Sequence, residues 1–325
     1  MRAMMCSELG APSGLRLVDL PVPTPGPGEA LIRVRAAGVN FPDVLMLAGG
    51  YQFKPPLPFV PGMEVAGEIA ALGPGAAGWS VGDRVIAGTR TGGFAEFVCA
   101  PLADLWALPA AWPFAEGAAF RIGAMTAVAA IDHGAALKSG ETVLIHGATG
   151  GMGLAAVQLS KLRGATVIAT GGNDAKLAVV ARQGADHVVN LGHGDWVAEV
   201  KTLTGKRGAD VVFDPIGGEV LLRSLSAAAP GGRLLVVGFM SGSPTQLPSN
   251  HILIKRLTVI GIRAGETART DAAIAASYAE TLPALMRHAA MRPHISLRVP
   301  LERAADALAA LVDRRVVGKA VVEVG

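Results

Sequence analysis

Residues 142–162 read TVLIHGATGGMGLAAVQLSKL, and this stretch decides the fold. Thr142 to His146 is a short apolar run of the kind a fully buried strand makes. It enters the glycine cluster Gly147-Ala-Thr-Gly-Gly-Met-Gly153, and an apolar helical segment leaves it. Glycines between a strand and a helix permit a tight turn and close backbone approach, so a pyrophosphate can sit at the helix N-terminus. A plain βα turn would use the same residues, and the surrounding pattern decides between the two. Downstream, apolar strand patterns at 166–170 (TVIAT), 187–190, 209–214 (ADVVFD), 233–237 (RLLVV) and 258–262 alternate with helical ones near 175–183, 196–203 and 220–228. Strands apolar on both faces that alternate with helices predict a doubly wound parallel sheet in an α/β fold.

Upstream the pattern changes. Short apolar runs at 30–37 (ALIRVRAA), 65–72 and 84–87 are separated by Gly/Pro turns such as PVPTPGPGE. This reads as β-rich, barrel-like or sandwich-like material, with long loops from Phe41 to Pro61. Downstream, a helix is expected over 272–288, a strand at 296–299, a helix over 301–314 and a last strand at 319–324. A short terminal strand is hard to stabilise alone, so the tail is expected to pack back on the N-terminal part. The expected division is 1–122 completed by 263–325, with 123–262 between them.

The composition excludes several classes. The chain has 325 residues, 51% hydrophobic and 17% charged, which rules out disorder. Twenty-nine basic residues are scattered among 26 acidic ones, for a net charge of +3, so nucleic acid is a poor partner. Cys6 and Cys99 are too few for a disulfide framework or a thiolate zinc site. The longest stretch without acid or base, 142–160, is broken by His146 and Gln158 and by four glycines, which a bilayer span would not choose. The N-terminus reaches Glu8 before any apolar core, unlike a signal peptide. A soluble, cytoplasmic protein without a membrane partner is the expectation.

The end of the second strand bears on the cofactor. An NAD site places Asp or Glu about 20 residues after the glycines, whereas this chain reads Thr170-Gly-Gly-Asn-Asp-Ala-Lys176. Small residues leave room for a 2′-phosphate that Lys176 can pair with, so NADPH is favoured over NADH, with Asp174 narrowing the margin. A solvated lysine at a helix start would read the same way.

Segments along most of the chain carry a resemblance: Ala37-Gly-Val-Asn-Phe-Pro-Asp43, Gly50-Tyr-Gln-Phe-Lys-Pro-Pro-Leu-Pro-Phe59, Pro61-Gly-Met-Glu-Val-Ala-Gly67, Gly92-Gly-Phe-Ala-Glu96, Met125-Thr-Ala127, the 148–153 turn, Phe213-Asp-Pro-Ile-Gly-Gly218 and Gly318-Lys319. In order and spacing they resemble the zinc-independent quinone oxidoreductases of the medium-chain dehydrogenase/reductase superfamily. The resemblance implies a GroES-like substrate domain interrupted by a Rossmann NADP-binding domain. It also implies a homodimer joined at the last Rossmann strand. The superfamily's zinc alcohol dehydrogenases carry a Cys after the Gly-Val turn and a His-Glu pair after the Pro-Gly. Here Asn40 and Met63-Glu64 stand instead, and neither Asn nor Met replaces a zinc thiolate or imidazole. No metal is expected, and Glu64 is expected to persist as a buried, partnered acid.

Without zinc, what remains is hydride transfer to a conjugated carbonyl or quinone, resting on position and on donors aimed at the developing oxyanion. The resemblance puts Asn40, Asp43 and Tyr51 beside the nicotinamide, with Tyr51 in a segment that supplies a proton-donating tyrosine in related enoyl-thioester reductases. Each has a structural alternative: Asn40 as a loop cap, Asp43 as a helix start, Tyr51 as a pocket wall. For the cofactor, the resemblance points to Phe41, Thr126, Ala148, Gly150, Gly151, Met152, Gly153, Gly171, Lys176, Asn190, Gly238, Phe239, Met240 and Lys319. Two of the family's 2′-phosphate grips are replaced, by Gly172 and Leu191. An enoyl-thioester or alkenal reductase, and a nucleotide-binding protein of structural or regulatory role, remain as alternatives.

Overall fold

The computed structural model describes every residue except 243 and 288–290. The chain divides into two compact units, Met1–Ile122 with Pro293–Gly325, and Gly123–Arg292. In chain order the first opens with strands β1 (Arg2–Met5), β2 (Arg16–Asp19) and the long β3 (Glu29–Val39), then helix α1 (Phe41–Leu47). Strands β4 (Glu64–Leu72), β5 (Arg84–Gly88), β6 (Phe97–Pro101) and β7 (Leu105–Ala107) follow, and helix α2 (Phe114–Ala127) contains the division.

The second unit alternates regularly: β8 (Thr142–Ile145), α3 (Gly151–Leu162), β9 (Thr166–Gly171), α4 (Asp174–Arg182), β10 (His187–Asn190), α5 (Trp196–Leu203), β11 (Ala209–Asp214), α6 (Gly218–Ala227), β12 (Ala228–Val236), α7 (Ser249–Lys255) and β13 (Thr258–Gly261). Helices α8 (Ala264–Thr270) and α9 (Ala272–Met286) come next. Then β14 (Ile295–Pro300), α10 (Ala304–Val312) and β15 (Lys319–Glu323) return to the first unit.

In the second unit the sheet order is β10-β9-β8-β11-β12-β13, all parallel. Val143–Ile145, Val167–Ala169 and Val211–Phe213 are fully buried, because helices cover both faces. The expected doubly wound sheet is therefore present. In the first unit the order is β14-β15-β3-β4-β5-β7, with β6 also on β3. Ile32, Val65, Ile69, Val85, Phe94, Leu308 and Val322 fill its core. The tail completes this sheet: β15 pairs antiparallel with β3, Ala320 opposite Val39.

Several expectations need correction. The tail joins the first unit from Pro293 rather than 263. Helix α9 stays with the second unit, where the Tyr278 ring meets His133 edge-on at 5.7 Å and Ser277 Oγ lies 3.2 Å from His133 Nε2. The stretch 41–61 is not all loop, since Asn40 and Asp43 form a capping box that starts α1, with a proline in its first turn. Strand β12 starts at Ala228, five residues before the expected 233, and crosses Pro230-Gly-Gly232 by a register shift. The expected 301–314 helix is a 3₁₀ turn, Leu301–Arg303, followed by α10. Helix α9 ends at Met286, and His288 of the expected helix lies outside the described residues. Among the described residues one segment, Phe114–Gly134, is long and apolar enough to cross a membrane, but 72% of its most apolar window is buried inside the protein, as in a core helix.

Candidate functional site

All six strands of the second unit run the same way, so the segments that leave their C-terminal ends gather along one sheet edge. Strand order reverses between β8 and β11, and that switch point is where α/β sheets bind ligands. The 148–153 turn leaves β8 there. Gly147 has φ +59°, a left-handed conformation that favours glycine. A Cβ on Gly153 would lie 2.3 Å from the Gly147 oxygen, so the close approach forbids any side chain. Gly150 caps α3 with no side-chain hydrogen bond. The first-turn N–H groups of this 12-residue helix, from Gly151, Met152 and Gly153, thus begin at a glycine-rich turn whose cap carries no side chain, an arrangement that fits a pyrophosphate. Ala148 is buried below it and donates its N–H to Thr170 O at 3.1 Å.

Several other expected cofactor residues lie along the same edge. Gly171 ends β9 opposite Asn190 at the end of β10, and Leu191 N–H bonds Gly171 O at 2.8 Å. Asn173 caps α4 by accepting the Lys176 N–H at 3.0 Å, which fixes the lysine in the first turn. Partial burial draws the Lys176 ammonium below its usual range. A Cβ on Gly172 would meet nothing within 4 Å, so the space beside it is open. The Asp174 carboxylate accepts from Asn190 Nδ2 at 2.6 Å and lies 3.8 Å from His193 Nε2. Its charge is thereby turned toward these two groups. After β12, Met240 N–H bonds Pro215 O and Ser241 N–H bonds Ile216 O. This seats the segment Gly238-Phe-Met240 over the end of β11, with Phe239 47% exposed. Thr126 is buried within α2.

Beneath the turn lies a group the sequence reading missed. His146 is fully buried, with Nδ1 2.8 Å from Thr170 Oγ1 and Nε2 2.8 Å from Ser224 Oγ. The Ser224 hydroxyl donates to Val220 O, so it accepts from Nε2–H, and Nδ1 accepts from Thr170. Burial pushes the imidazole down to about 3, so it ties β8, β9 and α6 together as a neutral ring.

In the first unit, Asn40, Asp43 and Lys319 come together with Glu64. Lys319 Nζ donates to Asn40 Oδ1 and to Glu64 Oε1, each at 2.6 Å. Asn40 Nδ2 donates to Glu64 Oε1 at 3.0 Å and to Gly38 O at 3.3 Å, and Glu64 Oε2 accepts the Ile122 N–H at 2.9 Å. Asp43 accepts N–H groups from Asn40 and Gly62. Burial pushes its carboxyl up to about 7, against those hydrogen bonds and the pull of Lys319. All four side chains are nearly or fully buried. Every amide proton of Asn40 is thus committed inside the protein, and Glu64 is the partnered acid the sequence suggested. Phe41 begins α1, half-buried.

Tyr51 stands apart from this network. It walls a cavity of about 210 Å³ with Leu9, Met46, Phe53, Lys54 and Leu57, an apolar slot with one phenol. Among the described residues no three His, Cys, Asp or Glu side chains converge as a metal site.

Comparisons with known proteins follow this division. Residues 26–110 match the alcohol dehydrogenase GroES-like domain, and 151–279 match a domain described as zinc-binding dehydrogenase. Human quinone oxidoreductase is 35% identical over 309 residues, covering 94% of this chain and 92% of that protein. Mouse quinone oxidoreductase-like protein 2 is 35% identical over 320 residues, covering 98% and 91%. Among solved structures, Escherichia coli quinone oxidoreductase complexed with NADPH superposes with a TM-score of 0.92 at 27% identity, over 99% of this chain and all of that one.

Proposed function

Because the chain belongs to the quinone oxidoreductase family of the medium-chain dehydrogenase/reductase superfamily, we propose that it is an NADPH-dependent, zinc-free reductase of quinones or similar conjugated carbonyls. The observation that carries this reading is the Asn40–Lys319–Glu64 network. Asn40 stands where the superfamily's zinc alcohol dehydrogenases carry their Cys, and Glu64 belongs to the Met63-Glu64 pair that replaces their His-Glu. The buried Lys319 ammonium bonded to both repels a second cation. An unactivated alcohol or ketone would have no Lewis acid, whereas a quinone is activated by its own conjugation.

NADPH fits the glycine edge of the second unit. The Gly147–Gly153 turn and the α3 N-terminus would hold the pyrophosphate, and Gly171, Lys176 and Asn190 the adenosine ribose and its phosphate. Thr126 and the 238–240 backbone would meet the nicotinamide. When bound, the dihydronicotinamide supplies a hydride, and a quinone that takes up this hydride and one proton becomes a hydroquinone. The protein's share is position and hydrogen bonding. Tyr51 offers an O–H to an acceptor oxygen as charge develops, and the apolar cavity around it excludes water from the acceptor's rings.

Two further assignments belong to this proposal. A cytoplasmic location accords with two unpaired cysteines. A homodimer through the edge strand β13 accords with its β-branched Thr258-Val-Ile-Gly261 and with exposed Leu253 and Ile254 on the preceding helix. Loss of NADPH absorbance with a panel of ortho- and para-quinones, enones, enoyl thioesters and alcohols tests the function. Quinones should be turned over and alcohols should not. Reduction of enoyl thioesters alone would favour the double-bond reductase, and NADPH binding without turnover of any acceptor would favour a nucleotide-binding role.

A further inference from the structure

The segment Tyr51-Gln-Phe-Lys-Pro-Pro-Leu57 lays two aromatic rings, a lysine and a leucine around one cavity. Its walls are apolar: Leu9, Met46, Phe53 and Leu57. The one charged residue in its lining is a cation, and a second cation stacks on one of its walls. Lys54 is an exposed residue of the lining, and the Arg90 guanidinium lies over the outer aromatic ring, its Cζ 5.2 Å from the Phe53 centroid.

These two cations differ from most of the protein's arginines. Arg2, Arg35, Arg163, Arg207, Arg233 and Arg298 each face a carboxylate within ion-pair distance. Among the described residues neither Lys54 nor Arg90 has an ion pair or a hydrogen bond to the protein; Arg90 has only the Phe53 ring. Stacking on an aromatic face restrains a guanidinium while leaving its N–H donors in the ring plane unspent. An apolar slot that takes a conjugated ring thus has at its rim a fork of donors and a second positive charge.

We propose that Lys54 and Arg90 form an anion-binding rim to the Tyr51 cavity, and that the acceptor is a conjugated carbonyl carrying an oxyanion group on its periphery. The proposal rests on the reductase reading above and narrows its substrate class. The oxyanion can be a carboxylate or sulfonate on the acceptor itself or a phosphate of an acyl-thioester carrier; the shared chemistry is a negative oxygen group held outside the slot while the reacting carbonyl lies within it. An exposed charge pair is worth up to about fivefold in affinity, so two together should give a preference of about tenfold. Such a preference should shrink as salt screens the rim.

The test compares 1,2-naphthoquinone with its 4-sulfonate, which differ in the charged group, in NADPH-dependent reduction by the wild-type protein and by Lys54→Gln, Arg90→Gln, the double variant and Arg90→Lys. The expected result is a kcat/KM ratio of about ten in favour of the sulfonate, falling with salt, reduced to near one in the double variant and largely kept by Arg90→Lys. A ratio near one in the wild type, or one unchanged in the double variant, would overturn the proposal. Crotonyl-CoA and its pantetheine analogue, which lacks the nucleotide phosphates, distinguish the source. A preference for the CoA form that disappears in the double variant assigns the rim to a carrier phosphate. The reductase reading can fail separately, as no turnover of either quinone. The rim is then read by calorimetric titration with 1-naphthalenesulfonate and 2-naphthol. Tighter binding of the sulfonate in the wild type alone supports it, and equal binding in both proteins overturns it.

Discussion

Lys319 Nζ lies 2.6 Å from Glu64 Oε1, and the two side chains are 7% and 0% exposed. Strand β15 brings the lysine to a carboxylate 255 residues earlier in the chain. Removing one partner of a buried pair leaves the other charge uncompensated, at a cost of about 3–5 kcal/mol. Lys319→Ala should therefore destabilise the protein by that order in urea unfolding, and Lys319→Ala with Glu64→Gln should recover part of the loss. Additive losses in the double variant would contradict the coupling.

His146 predicts an acid sensitivity. Its imidazole is pushed down to about 3 in the folded protein against about 6.5 unfolded, so only the unfolded chain takes up the proton between these values. Stability from this group is full above pH ~6.5 and falls by about 1.4 kcal/mol per unit below it. Asp43, pushed up to about 7, acts oppositely: between pH ~4 and 7 the folded state holds a proton the unfolded chain releases, so its contribution grows as pH falls. A His146→Gln variant removes the first slope and keeps the second. Its stability deficit should narrow steadily from pH 7 to pH 5, and parallel unfolding curves would contradict the assignment.

The cofactor corner predicts a preference. NADPH should bind more tightly than NADH, and Lys176→Ala should reduce the difference, since a charge-assisted phosphate contact is worth roughly 1.5–3 kcal/mol. Open Gly172 and Leu191 place the effect at the lower end, about tenfold. Equal dissociation constants in the wild type would contradict it.

Much of this was legible in the sequence. The Rossmann sheet announced itself because strands buried on both faces must be apolar throughout, and the glycine turn stood between the first such strand and a helix. The return of the tail at 293 was not legible: α9 shows an apolar stripe through Tyr278, Leu282, Leu285 and Met286, but no local pattern says which unit that stripe covers. Helix α1 was hidden by Pro42 and the glycines after it, although the Asn40/Asp43 spacing already carried its cap. Asn40, Asp43 and Lys319 were singled out through the resemblance, whereas the hydrogen bonds of Asn40 and Lys319 with Glu64 emerge only in three dimensions. Nothing in sequence pairs Arg90 with Phe53, or Thr170 and Ser224 with His146, because such contacts depend on packing rather than on spacing.

Tyr51→Phe separates the two reductase chemistries. Addition of hydride to an enone or enoyl thioester leaves an enolate to be stabilised and protonated, where general-acid help is worth about 10²–10⁴-fold. A hydroquinone gains aromaticity and can take its proton from water. The substitution should cost less than about tenfold in rate on quinones and much more on any enone, with cofactor affinity unchanged. Equal losses on both classes would remove Tyr51 from the role given to it.

The central claim is hydride transfer to an activated acceptor without a metal. Its most direct measurement is NADPH oxidation driven by an ortho-quinone, followed with and without a strong chelator on protein assayed for zinc. The account predicts acceptor-dependent turnover that the chelator leaves undiminished and no stoichiometric zinc. One tightly bound zinc per chain, with activity lost on its removal, would contradict it.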